Sequence, residues 1–337
     1  MRLRTGFFLG FGASCAAAVA CSCVTIDGKL VEMMDQKNII VWDPESKTEH
    51  FIRDATFKTD ASDLGFIAPT PSVPKMEEVD PAAFDVITAA IVEFERLWTE
   101  EHRKQGYKAG ATAAAASTVE VIQAANVAGF EAVTVKASDA GGLGTWMKTH
   151  GFVSTPSVQT WTEFYIKKKW YLTLFRVSAT LGGAKTGLVK LSFKTDQPFN
   201  PYYVPSGNIG KHAGEGLLVY FVGPGTYEAM TVPANNLTFY SATPLTDAYA
   251  KDLQKHLKLS SLPPKTTVSL FRDTGFPRAG VTDDVYFKQS GPQPVFPPQS
   301  DSDGSAEGGL TLGKVLGGLL IVIVALIAIK LSLSRSK

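Results

Sequence analysis

Residues 38–58 read NIIVWDPESKTEHFIRDATFK. Two β-rich runs, 38–42 and 49–58, flank Asp43-Pro44-Glu45-Ser46, a turn with proline at its second position. Similar runs recur at 118–123, 130–136, 170–178, 188–194, 216–222, 226–232, 267–271 and 285–287. The pair 118–123 and 130–136 brackets a second turn, Asn126-Val127-Ala128-Gly129. Helical periodicity is scarcer. Asp80-Pro81 caps and opens one helix, whose Phe84, Ile87, Ile91, Phe94 and Trp98 fall three to four apart and carry it to about Gln105. Shorter helices are expected at 142–150 with Leu143, Trp146 and Met147, and after Pro156 with Trp161, Phe164 and Tyr165. Another is expected at 247–257, behind the cap Thr246. Between 64 and 74, Pro69, Pro71 and Pro74 are expected to end any ladder. Long antiparallel-style strands with three or four helices define an α+β fold of mostly antiparallel sheets, not a doubly wound parallel one.

The ends of the 337-residue chain are more apolar than this middle. Arg2 and Arg4 precede the apolar run 7–20, which closes on Ala18-Val19-Ala20: the three parts of a secretory signal. That run is too short for a ~30 Å hydrocarbon core, which takes about 20 helical residues. Cleavage is expected before Cys21, making 1–20 a signal peptide. A cysteine directly after the cut is also what lipoprotein processing modifies, and lipidation of Cys21 is the alternative, with Ala18 standing where such processing takes a branched residue. At the other end, 315–329 is uninterruptedly apolar or small, and eleven of its residues are Leu, Ile or Val. At about −0.3 to −0.6 kcal/mol each, these favour insertion by roughly 3–6 kcal/mol. Lys314 and Lys330 can reach the headgroups, so 310–333 reads as a transmembrane helix and 334–337 as a cytoplasmic tail on the positive-inside rule. The segment GPQPVFPPQSDSDGSAEGG cannot form a core, and 290–309 is a tether. Membrane lipid is therefore an expected partner.

The exported body is 21–289, with possible subdomains 24–105 and 118–289 on either side of the low-complexity stretch GYKAGATAAAAS. Lys and Arg total 33 against 32 Asp and Glu, a net charge of +1 that lacks the footprint of a nucleic-acid binder. Cleavage leaves Cys21 and Cys23, one residue apart, and a disulfide there would staple no loop. The core alone must hold the body, which is feasible at about 270 residues, where roughly three quarters of the unfolded surface is buried.

Candidate chemistry is thin. The histidines are His50, His102, His150, His212 and His256, and no two have the close spacing of a metal site. Lys211-His212-Ala213-Gly214-Glu215-Gly216 places an imidazole and a carboxylate in one glycine-rich loop, where solvated polar groups are the ordinary reading. His50 and Asp54 share a face of one strand, as a surface pair would. Gly182-Gly183-Ala184-Lys185-Thr186-Gly187 lacks the spacing of a phosphate loop and reads as a turn. Gly-x-Ser-x-Gly does not occur, and the remaining thiols sit at the mature terminus. No catalytic, cofactor or metal residues are assigned. Phe199-Asn200-Pro201-Tyr202-Tyr203-Val204-Pro205 offers either a stacking surface around Tyr202 or core packing, and core packing is the expectation.

Four stretches carry a resemblance: 20–23 (ACSC), 63–71 (DLGFIAPTP), 119–152 with VEV, GFEAVTV and LGTWMKTHGF, and 170–198 with WY and LSFKTDQP. With them the chain, from about Cys21 to Val222, resembles a bacterial family of exported proteins catalogued as domain of unknown function 2330. The resemblance implies a secreted or surface-anchored protein, often with a C-terminal membrane segment. It carries over no catalytic residue, because the family has no assigned activity. This chain departs from the pattern in having few cysteines near its start. The expected function is a membrane-anchored exported module of the bacterial cell envelope, non-enzymatic and engaged in binding an envelope or extracellular partner or in structure. The alternative is an envelope hydrolase whose site is assembled from distant residues.

Overall fold

The computed structural model describes residues 16–17, 23–25, 31–59, 64–101, 123–152, 154–177, 187–206, 216–230 and 236–291. The hairpin at 38–58 proves longer than its sequence signal. Strands β3 (Val31–Asp43) and β4 (Thr48–Thr59) pair antiparallel from Val31 opposite Thr59 to Asp43 opposite Thr48. Asp43 sets the turn: its Oδ1 accepts the amides of Glu45 (3.0 Å) and Ser46 (3.3 Å), and Lys47 closes it at φ 50°.

The first third of the chain also supplies β1 (Ala16–Ala17), β2 (Cys23–Thr25), β5 (Leu64–Thr70), β6 (Lys75–Val79) and α1 (Ala82–Glu101). Then come β7 (Gln123–Val127), β8 (Phe130–Val135), α2 (Ala140–Thr149), α3 (Pro156–Lys167), β9 (Tyr171–Val177), β10 (Leu188–Lys194) and β11 (Phe199–Asn200). The last are β12 (Gly216–Pro224), β13 (Thr226–Ala229), β14 (Thr238–Pro244), α4 (Asp247–His256), β15 (Thr266–Asp273) and β16 (Val285–Gly291). The large sheet has the order β14-β15-β12-β3-β4-β10-β6, with β1 beside β4. A second sheet is β2-β5-β9-β8-β7 and a small one β11-β16-β13. Among the described strands every pairing is antiparallel except β12 with β3. Strand β12 (GLLVYFVGP) is almost wholly apolar, as a strand covered on both faces must be. Strands from before and after residue 105 interleave in both larger sheets.

The mixed α+β class with mostly antiparallel sheets holds, with four helices among the described residues. Each helix starts where a side chain takes an orphan amide. Asp80 accepts from Ala82 (3.0 Å), Asp139 from Gly142 (2.6 Å), Thr155 from Val158 (3.3 Å) and Thr246 from Tyr249 (3.4 Å). The α1 stripe buries Phe84, Ile87 and Ile91 and leaves Phe94 and Trp98 half-buried. In the second sheet Phe66 stacks on Phe175 at 4.6 Å and meets Phe130 edge-on at 5.2 Å.

One expectation about strands needs correction. Pro69 does not end the ladder, since β5 pairs with β9 through Thr70. On its other side β5 pairs with β2 from Leu64 to Phe66. Strands β6 and β14 went unread because both lie at sheet edges, where KMEEV and TFYSATP show no clean alternation. No helix among the described residues is long and apolar enough to cross a membrane. The predicted transmembrane segment 310–333 and the loop 106–117 lie outside the described residues, as does all of the signal 1–20 except Ala16 and Ala17.

Candidate functional site

Alternation along β4 sends His50, Ile52 and Asp54 to one face of the large sheet and Glu49, Phe51 and Arg53 to the other. On the first face His50 stands directly opposite Ser192 of β10, Nδ1 to Oγ 2.8 Å. Burial, reinforced by the charge of Lys190, pulls the His50 pKa down to about 4, so the ring is neutral at neutral pH. Lys190 is buried and donates to the carbonyls of Leu257 (2.8 Å) and Lys258 (2.9 Å), at the end of α4. It also pairs with Glu77 Oε2 at 3.2 Å, and Lys75 holds Oε1 of the same carboxylate at 2.9 Å. Burial pushes the Glu77 carboxyl up, but bonds from Lys75 and Lys190 outweigh it and hold it below its ordinary value. The hydroxyl and neutral imidazole are the components of a nucleophile and base. A base with so low a pKa is poorly matched to proton abstraction near neutrality.

The opposite face carries a buried polar chain. Arg53 Nη2 donates to Gln36 Oε1 (2.5 Å), Gln36 to Asn38 Oδ1 (3.3 Å), Asn38 to Asn200 Oδ1 (2.5 Å), and Asn200 to the Pro201 carbonyl (2.9 Å). Beside it, fully buried Glu49 accepts the Phe199 amide at 2.9 Å, and burial pushes its carboxyl well above the ordinary value.

A third centre gathers around Lys168, the C-cap of α3, whose side chain is 2% exposed. Its ammonium lies 2.5 Å from Asp283 Oδ1, 3.2 Å from Tyr286 Oη and 3.8 Å from Asp284 Oδ2. It stands over the rings of Phe164 (4.2 Å), Trp170 (5.1 Å) and Tyr286 (5.5 Å). Asp284 Oδ1 accepts from the Tyr165 hydroxyl (2.8 Å) and from the amides of Tyr202 (2.9 Å) and Tyr203 (3.3 Å). Its Oδ2 makes no hydrogen bond. Burial holds the Asp284 carboxyl above its ordinary value, against the pull of Lys168.

The other sequence candidates scatter. His256 ends α4 and bonds Asp80 Oδ2 at 2.8 Å, tying α4 to the start of α1. His150 ends α2, stacked on Trp146 at 4.0 Å. Phe199 and Tyr202 are fully buried, so the aromatic segment packs inward and Tyr202 offers no exposed stacking surface. The Tyr202 hydroxyl bonds Asp273, which Arg278 also grips. Cys23 lies in β2. Cys21, His102, Lys185, His212 and Glu215 lie outside the described residues. Among the described residues no group of three or more His, Cys, Asp or Glu could hold a metal ion. Sequence reasoning missed Ser192, Lys168, Asp283 and Asp284, whose partners lie 142 residues (Ser192 to His50) and 115 residues (Lys168 to Asp283) away along the chain.

These features define a mixed α+β domain whose interior charges clamp its own backbone. The family model described as an uncharacterised protein conserved in bacteria, DUF2330, matches residues 15–221, and the chain belongs to that family. No curated protein matches it. Two solved structures of a baculovirus protein are similar over most of their length. The crystal structure of baculovirus P35 has a TM-score of 0.37 at 5% identity, covering 79% of this chain and 96% of that one. A mutated baculovirus P35 after caspase cleavage has a TM-score of 0.30 at 6% identity, covering 76% and 96%.

Proposed function

We propose that this bacterial protein is an exported, membrane-tethered module of the cell envelope that binds or braces a partner and turns over no external substrate. One observation carries the non-catalytic reading: three buried ionisable groups are engaged with the chain's own backbone. Lys190 holds the carbonyls after α4, Glu49 holds the Phe199 amide, and Asp284 holds the amides of Tyr202 and Tyr203. Such groups rigidify loops and leave little freedom for a reaction cycle. The export reading rests on the signal-like start, the Pro/Gly/Ser-rich tether and the apolar run 315–329.

Truncation after Gly309 tests the tether. The shortened chain is expected in the soluble exported fraction, while the full chain stays with the membrane. Retention of the shortened chain, both with Cys21 and as Cys21→Ser, would overturn the C-terminal anchor. The hydrolase reading has one favouring observation, the 2.8 Å contact of His50 with Ser192. A fluorophosphonate probe separates the readings: Ser192 is expected to stay unlabelled, and labelling abolished by Ser192→Ala would establish the hydrolase.

A further inference from the structure

The aromatic pocket of Lys168 holds the parts of a condensation reaction. We propose that Lys168 and Asp283 become joined in the folded protein by an intramolecular amide bond, formed without any external reagent, with Asp284 as the acid–base group.

Three aspects of the geometry point to this chemistry. The amine and its acceptor are in contact, Nζ to Asp283 Oδ1 at 2.5 Å, on elements fixed by the fold. Reactants so fixed gain effective concentrations of about 10⁵–10⁸ M over free ones. The surroundings are dry: Lys168 is 2% exposed beneath Phe164, Trp170 and Tyr286, and Asp284 is fully buried. A charged pair is costly in such a place, and converting it to a neutral amide removes that cost. A third group is positioned to move protons. Asp284 Oδ1 is fixed by three donors, while Oδ2 has no hydrogen-bond partner and faces Nζ at 3.8 Å. Burial favours the protonated form of Asp284, which the reaction needs.

The step balances. Proton transfer from the Lys168 ammonium to the Asp283 carboxylate gives a neutral amine and a neutral acid. The Nζ lone pair adds to Cγ of Asp283 as Asp284 donates from Oδ2 to the developing oxyanion and then takes up the amine proton. Asp284 next protonates one of the two hydroxyls, which leaves as water as that Cγ–O bond breaks, and takes the proton of the other as the carbonyl forms, so that it recovers its original state. Ammonium and carboxylate become one amide and one water, with no oxidant or reductant. Asp283 is 18% exposed, which gives the water an exit. The Asp284 amide already donates to Asp283 Oδ1 at 2.8 Å and polarises the carboxyl. The bond would close a loop of 115 residues between α3 and β16, a staple that Cys21 and Cys23 cannot supply.

Tryptic digestion of the purified full chain, followed by tandem mass spectrometry, tests the proposal. The expected product is a branched peptide joining the segments of Lys168 and Asp283, one water lighter than their sum, with no cleavage after Lys168. Recovery of linear peptides carrying free Lys168 and free Asp283, without the branched species, would overturn it. Fragments placing the link on Asp284 would overturn the assignment of acceptor. Asp284→Asn should lose the bond and Asp284→Glu should restore it; full linkage in Asp284→Asn would overturn the acid–base role. If neither variant folds, the wild-type digest alone still decides the bond.

Discussion

The Lys190 ammonium and the Leu257 carbonyl meet at 2.8 Å, joining the interior of β10 to the C-terminal end of α4. The same ammonium reaches the Lys258 carbonyl at 2.9 Å and Glu77 at 3.2 Å, so one side chain ties a central strand, an edge strand and a helix end. Methionine in its place would fill much the same volume and donate nothing. Lys190→Met should therefore lower the unfolding free energy by about 2–3 kcal/mol, the cost of stranding buried carbonyls. Urea denaturation checks this, with a lower midpoint and an unchanged m-value expected.

His50 should make stability fall in mild acid. Its folded pKa is about 4 against an ordinary 6.5. As pH drops through that window the unfolded chain takes up a proton that the folded chain refuses. The stabilising contribution is complete above about 6.5 and is lost as pH falls toward about 4. His50→Gln should lack this loss, so the difference in melting temperature between the two proteins should shift across the window.

Glu95 acts in the opposite direction. It is half-buried on α1, and burial pushes its pKa up to about 7 from 4.5. The folded state takes this proton first, so relative stability is full below about 4.5 and is lost as pH rises through about 7. Glu95→Gln should be more stable than wild type at pH above about 7, by on the order of 1–3 kcal/mol, and should lose the advantage in acid. Thermal melts of both proteins across the range decide it.

Gly216 opens β12 at φ +89°, and a Cβ there would lie 2.2 Å from the Asp273 carbonyl oxygen. Neither the conformation nor the contact admits a side chain. Gly216→Ala should cost about 2–4 kcal/mol, read as a lowered chemical-denaturation midpoint.

The parts of this fold legible in the sequence were those with a local cause. Asp43-Pro44-Glu45-Ser46 announces its turn, Thr155-Pro156 and Thr246 announce their helices, and the stripe from Phe84 to Trp98 announces α1. Long-range partners write no such signal. The parallel pairing of β12 with β3 depends on which apolar strand slots beside which, and edge strands β6 and β14 carry too little pattern to be read. The charged centres are more obscure still. His50 invited comparison with Asp54, four residues away, whereas its partner Ser192 is 142 residues distant. Lys168 sits in a run of three lysines, and only the return of the chain at Asp283 turns that side chain inward.

The proposed topology would place the body outside and the C-terminal tail in the cytoplasm. Glu45 is exposed at the tip of the β3–β4 turn, and Ser336 belongs to the predicted tail. Labelling of Glu45→Cys and Ser336→Cys full-length chains with a membrane-impermeant maleimide, in cells with a permeabilised outer layer, tests it most directly. Above the wild-type background, Glu45→Cys should react in intact cells and Ser336→Cys only after lysis. Protection of Glu45→Cys until lysis, or ready labelling of Ser336→Cys in intact cells, would contradict the account.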